Sequence, residues 1–144
     1  MKSLEDAIAE AKRTGDYQGM VDAIPYNAFL GLHLKRTEDG PLCVLPADPK
    51  LIGNPLLPAL HGGVVGALLE SAALMQLMWA HETVHVPKTI NLTVDYLRSA
   101  KPVETFAQGA LTRHGRRIAN VRVEAWQDDR DRPVATALAH FLLT

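Results

Sequence analysis

Between residues 64 and 80 the chain is apolar apart from Gly66, Glu70, Ser71 and Gln76. Its apolar positions fall on every side of a 3.6-residue repeat, which predicts a helix over about 61–81 that the rest of the protein must wrap. The C-terminal half supplies the wrapping. Stretches 88–98, 103–113, 116–127 and 133–143 read as long strands, divided by turn signals at Lys101-Pro102, His114-Gly115 and residues 128–132. Ile90, Leu92, Val94 and Tyr96 alternate with polar neighbours, and Val121, Val123 and Ala125 take the opposite phase from Asn120, Arg122 and Glu124. Connections this short require antiparallel neighbours.

The N-terminal part is less regular. Ser3 can cap a helix running to about residue 13, with Glu5 and Asp6 in its first turn where the helix dipole favours negative charge. A second helical piece over 16–23 ends ahead of Pro25. From 29 to 37 the leucines at 30, 32 and 34 alternate as in a strand, Asp39-Gly40 supplies a turn, and 42–45 returns antiparallel. Pro46, Pro49, Gly53, Pro55 and Pro58 then predict irregular chain as far as His61. The expectation is an α+β fold in which one long central helix is wrapped by a curved antiparallel sheet of five or six strands. A helical segment, 1–28, precedes a single sheet-and-helix unit over 29–144.

Composition narrows the function classes. The chain of 144 residues has a formal charge of −1, which gives no global attraction to nucleic acid or to an anionic membrane. Cys43 is the single cysteine, so no internal disulfide and no thiolate-rich metal cluster can form, which suits a reducing cytoplasm. Residues 1–15 lack the charged-then-apolar order of a secretory signal, and the polar interruptions of 64–80 point to a core helix in place of a membrane span. The expectation is therefore a cytoplasmic protein with no membrane and no nucleic-acid partner. No metal site is expected: His81 and His85 have no third ligand spaced with them. Neither a Gly-x-Ser-x-Gly elbow, a phosphate loop nor a dinucleotide fingerprint occurs.

Three motifs carry a resemblance. His61-Gly62-Gly63 is followed by an acid at Glu70; Thr89-Ile90-Asn91-Leu92-Thr93-Val94-Asp95-Tyr96-Leu97-Arg98 comes next; and Arg113-His114-Gly115-Arg116 links two long strands. From about Phe29 to its end the chain resembles the hotdog-fold thioesterases of the phenylacetate-degradation type. The resemblance implies hydrolysis of an acyl- or aryl-acyl-CoA thioester to a free acid and CoA, without a cofactor, since CoA is part of the substrate. It also implies a homodimer joined edge to edge through its sheets, with composite active sites, and pairing of dimers into a homotetramer.

The residues themselves permit that chemistry. Gly62 and Gly63 sit in a first helical turn, where backbone N–H groups lack intrahelical partners and can hold an oxyanion. Glu70, among Ala67, Leu68, Leu69, Ala72, Ala73 and Leu74, is expected in a low-dielectric setting that raises its pKa toward general-base use; it can activate water or attack the carbonyl itself. Gly63 and Glu70 share a helical face about 10 Å apart, farther than reacting atoms stand, a gap that a leaning glutamate plus a water can span within one chain or that a second chain can close. The resemblance implies the second arrangement, with the acid coming from the partner subunit. Asn54 is a candidate to orient water or carbonyl, or else a turn residue before Pro55. His61 is a candidate to act near the carbonyl, or to cap the helix. Thr89 falls where relatives place a small hydroxyl. Arg98, Arg113, His114, Arg116 and Arg117 are candidates for the phosphates of CoA, arginine gripping phosphate through paired N–H groups. A non-catalytic acyl-CoA-binding protein and a hydratase or dehydratase on the same fold stay open as alternatives.

Overall fold

The computed structural model describes residues 3–82 and 85–143. Three short helices come first: α1 (Leu4–Thr14), α2 (Gln18–Asp22) and α3 (Pro25–Leu30). The hairpin β1 (His33–Thr37) and β2 (Gly40–Leu45) follows, then a 3-10 turn at Pro49–Leu51 and a small hairpin of β3 (Ile52–Asn54) and β4 (Ala59–Leu60). The long helix α4 (Gly62–Ala80) leads into β5 (Lys88–Tyr96), β6 (Thr105–His114), β7 (Ile118–Trp126) and β8 (Ala135–Leu142). Six strands form one antiparallel sheet in the order β1-β2-β6-β7-β8-β5, with β5 at one edge. This is the expected α+β arrangement of one central helix on one antiparallel sheet.

The alanines of the central strands explain how the sheet holds the helix. Ala119 and Ala125 of β7 and Ala135, Ala137 and Ala139 of β8 are buried on the face toward α4. Their short side chains let the Leu68, Leu69, Ala72 and Ala73 surface of the helix settle close, where all four are fully enclosed. More than half of the apolar span of α4 is buried inside the fold. The opposite side of α4 is open: Gly62 and Gly63 are exposed, and Gly66, Ala67, Glu70 and Leu74 are half-buried. At the C-terminal end of α4, the ammonium of Lys12 from α1 donates to the carbonyls of Met78 and His81, so a cation from a distant helix satisfies acceptors that α4 itself cannot. Burial holds the pKa of Lys12 below its ordinary value, and the charge of Glu82 opposes that shift. Cys43 on β2 is 1% exposed, and burial pushes its thiol pKa up to about 12.

Four local expectations are corrected. Residues 25–30 form a helix that runs into the strand expected from Phe29: Pro25 occupies its first turn and Gly31, at φ 72°, closes it in the left-handed conformation. The strand expected from Phe29 therefore begins at His33. The proline-rich stretch before His61 is not wholly irregular, because β3 and β4 pair within it. Ile90 does not share the face of Leu92 and Val94. A bulge between Thr89 and Asn91 takes it out of the ladder and leaves it 54% exposed, while Thr89 pairs with Phe141.

Candidate active site

The N-terminal turn of α4 leaves one backbone donor over. A helix begins with N–H groups that have no intrahelical acceptor, and each must find one elsewhere or stay free. The His61 N–H donates to the carbonyl of Leu51 at 2.8 Å, and the Val64 N–H to the carbonyl of His61 at 3.0 Å. The Gly63 N–H donates to Nδ1 of the His61 ring at 2.9 Å. Among the described residues, no acceptor takes the Gly62 N–H. Of the two glycines singled out from sequence, only Gly62 thus retains a free donor. Gly63 has another reason to be glycine: a Cβ there would lie 2.9 Å from the His61 ring.

His61 is the N-cap of α4. Because Nδ1 accepts a hydrogen bond, the neutral ring carries its proton on Nε2. Gly53 on β3 makes room for this residue, since a Cβ at 53 would lie 2.6 Å from the His61 Cα. The other end of the Gly62–Gly63 peptide is also held: the hydroxyl of Tyr96 donates to the Gly62 carbonyl at 2.7 Å. Tyr96 was read from sequence as an alternating strand residue within the 89–98 motif, with no role of its own, and nothing in the periodicity of β5 distinguishes its hydroxyl from a packed ring.

A cleft of about 360 Å³ opens beside this turn, lined by Gly62, Val65, Tyr96 and the segment from Leu97 to Ala100. Arg98 lies in its wall and donates to the carbonyl of Pro133. Glu70 is not among the lining residues. It sits seven residues beyond Gly63 on the open face of α4, about 10 Å along the axis, and is half-buried. The dry surroundings expected for it are therefore not provided by one chain alone. Asn54 stands on the neighbouring hairpin, where its Oδ1 accepts from the Leu56 N–H at 3.0 Å, an Asx turn at Pro55.

The other candidates lie at the far end of the helix. Arg113, Arg116 and Arg117 line a cleft of about 350 Å³ around the β6–β7 turn, and among the described residues no carboxylate pairs with them. His114 turns away from that cleft, its Nε2 2.9 Å from Nδ1 of His81 at the end of α4. Burial first, then His114 and then the ammonium of Lys12, lowers the pKa of His81. Thr89 is near this end too, seven residues and about 23 Å of extended strand from Tyr96. One chain therefore brings together His61, Gly62, Gly63 and Arg98, with Asn54 adjoining, and keeps Thr89, Arg113, His114, Arg116 and Arg117 apart from them.

Residues 57–134 match the model of the thioesterase superfamily, which is more than half of the chain. The chain belongs to the thioesterase superfamily. The medium/long-chain acyl-CoA thioesterase YigI of Salmonella typhimurium is 31% identical over 134 residues, covering 83% of this chain and 86% of that protein. A solved protein from Chromobacterium violaceum is 43% identical with a TM-score of 0.77, covering 95% of this chain and 96% of that one. A phenylacetic acid degradation-related protein from Ralstonia eutropha is 24% identical with a TM-score of 0.78, over 95% of this chain and 99% of that one, and shares the fold. The expectation of a hotdog-fold thioesterase is borne out. The segment matched to the superfamily contains the α4 turn, Glu70, β5 and the β6–β7 turn, while Asn54 lies outside it.

Proposed function

We propose that this protein hydrolyses acyl-CoA thioesters at sites built from two copies of the chain. The observation that carries the reading is the unclaimed Gly62 N–H, at the positive end of a long helix and beside a cleft that can admit a thioester carbonyl. Glu70 supplies the base or the nucleophile. In the first case its carboxylate takes a proton from water while the water oxygen adds to the carbonyl carbon, and the oxyanion rests on the Gly62 N–H. The C–S bond then breaks, and the CoA thiolate leaves and takes up the proton. In the second case the carboxylate adds directly, expelling the thiolate and leaving an anhydride that water opens.

Geometry favours a second copy. β5 is an edge strand of nine residues, and such an edge is a template for pairing. Two β5 edges joined antiparallel extend the sheet across the pair and lay the open faces of two α4 helices together, head to tail. Glu70 of one subunit then approaches the Gly62 turn of the other, and burial between the helices gives the carboxylate its dry setting. The same two-fold relation carries the Arg113–Arg117 turn toward the neighbour's Arg98, which suits a substrate with phosphates at one end. The YigI relatives are named for medium and long acyl chains, which makes these the first to test beside phenylacetyl-CoA.

The test is thiol release from a panel of acyl-CoA esters by the parent and by Glu70→Gln. The variant is expected to keep its fold and lose about 10²-fold or more in kcat. Equal turnover by the two proteins would refute the assignment, and saturable binding without thiol release by the parent would make the chain a binding protein. Light scattering is expected to give an even number of copies; a monomer at all assay concentrations would exclude the composite site.

A further inference from the structure

The turn that carries the free donor is, by composition, the loosest part of α4. Gly62, Gly63 and Gly66 fall within five residues, and glycine loses more backbone freedom on ordering than any other residue. The peptide that carries the Gly62 N–H is anchored on its far side, where the His61 carbonyl accepts from the Val64 and Val65 N–H groups at 3.0 and 3.2 Å; on its near side the Gly62–Gly63 peptide, whose N–H has no intrahelical acceptor, needs a hold from side chains. Stabilising an oxyanion depends on donors that are already aimed before charge develops.

Two side chains hold this turn, and they grip the same peptide group from opposite ends. His61 accepts the Gly63 N–H at 2.9 Å and Tyr96 donates to the Gly62 carbonyl at 2.7 Å. These two atoms belong to the single planar unit between Gly62 and Gly63, so its orientation is set by an oxygen-side and a nitrogen-side hydrogen bond at once. Gly62 is thereby fixed on its carbonyl side, and its own N–H points from a rigid mount. Tyr96 also lies against the glycine face of the helix: a Cβ on Gly62 would stand 3.6 Å from the ring and one on Gly66 3.4 Å from its hydroxyl, both ordinary contacts. Tyr96 reaches the turn from β5, a different element, and with 57% of its surface exposed it forms part of the cleft wall.

We infer that Tyr96 is a positioning residue for thioester hydrolysis, its hydroxyl holding the Gly62–Gly63 peptide so that the Gly62 N–H keeps its aim into the cleft. The inference rests on the reading of Gly62 as the oxyanion donor. It adds a part that the strand supplies to a site otherwise carried on the helix. Removing the hydroxyl should loosen the mount without removing the donor, so the loss falls on the chemical step and spares the binding of CoA.

The experiment compares the parent with Tyr96→Phe in two readouts, acyl-CoA kinetics and amide hydrogen exchange at Gly63 followed by NMR. Phenylalanine keeps the ring beside Gly62, and a thermal melt of each protein verifies the fold. The expected result is a kcat about three- to tenfold lower, the range that one net hydrogen bond supports, with KM within about twofold and faster exchange at Gly63. A kcat equal to the parent's overturns the inference whatever the exchange shows, because the turn then needs no hydroxyl to work. A raised KM with unchanged kcat also overturns it, in favour of Tyr96 as a substrate contact. Gly62→Pro, run beside it, separates the two levels: if Tyr96→Phe is fully active while Gly62→Pro is impaired, only the positioning role falls, whereas full activity of Gly62→Pro removes the donor itself.

Discussion

Gly62→Pro isolates a single hydrogen atom. Proline lacks the backbone N–H and is well accepted at the first position of a helix, where that N–H has no intrahelical acceptor. His61, just ahead, has φ −60° and ψ 130°, inside the region that a residue before proline prefers. A Cβ at 62 would lie 3.6 Å from the Tyr96 ring, an ordinary contact. No described hydrogen bond is lost, because none uses the Gly62 N–H, and replacing glycine by proline lowers the entropy of the unfolded chain by about 0.4–1 kcal/mol in favour of folding. Stability should therefore hold or rise slightly, while loss of one oxyanion donor raises the barrier by about 3–4 kcal/mol, a fall in kcat of about 10²–10³. A thermal melt and a thiol-release assay read the two quantities separately. A variant that melts like the parent and works like the parent would refute the reasoning. Mixing adds a further readout: Gly62→Pro and Glu70→Gln, each impaired alone, should recover about a quarter of parent activity when reassorted into mixed dimers, since half the dimers are mixed and each has one intact site. A mixture as inactive as its components would mean that each site is built within one chain.

Two further outcomes concern the far end of α4. Lys12→Met removes the cation that meets the Met78 and His81 carbonyls and should cost about 1–2 kcal/mol, read as a fall in Tm of about 3–8 °C; an unchanged Tm would show that water replaces the ammonium at no cost. Because the pKa of His81 is lowered in the fold, the unfolded chain takes up this proton first. Its effect on stability is absent well above the ordinary value of 6.5, and stability falls as the pH drops below 6.5 through the lowered value. His81→Gln should flatten the decline of Tm between about pH 7.5 and pH 5 relative to the parent, and identical slopes would assign the acid sensitivity to other groups.

The helix and the central strands were legible because burial on many sides leaves an uninterrupted pattern. An apolar run with a buried face at every turn is read as a core helix, and the alternation of Val121, Val123 and Ala125 marks a strand covered on one side. Helix α3 escaped because the leucine alternation at 30, 32 and 34 spoke more loudly than its two end signals, Pro25 at the start and Gly31 at the close, which a six-residue element has little else to offer. The bulge at Ile90 had no signature at all, since the extra residue is itself apolar and in phase. Of the candidate site, the glycines, His61 and Glu70 could be proposed from a helix start followed by an acid and from the resemblance that this motif carries. Which glycine keeps its proton free could not, because that depends on where the Leu51 carbonyl and the His61 ring come to lie. Tyr96 was hidden for a similar reason: its partner stands 34 residues earlier in the chain.

The lone thiol has a practical consequence at the bench. Assays that colour with free CoA depend on a reagent that attacks any accessible sulfur, and many enzymes add a background of their own. Here Cys43, sealed in β2 and with its thiolate suppressed to about pH 12, should stay silent while the protein is folded. Colour then reports turnover, and a slow extra equivalent per chain, appearing only with denaturant or heat, becomes a clock for unfolding in the same cuvette.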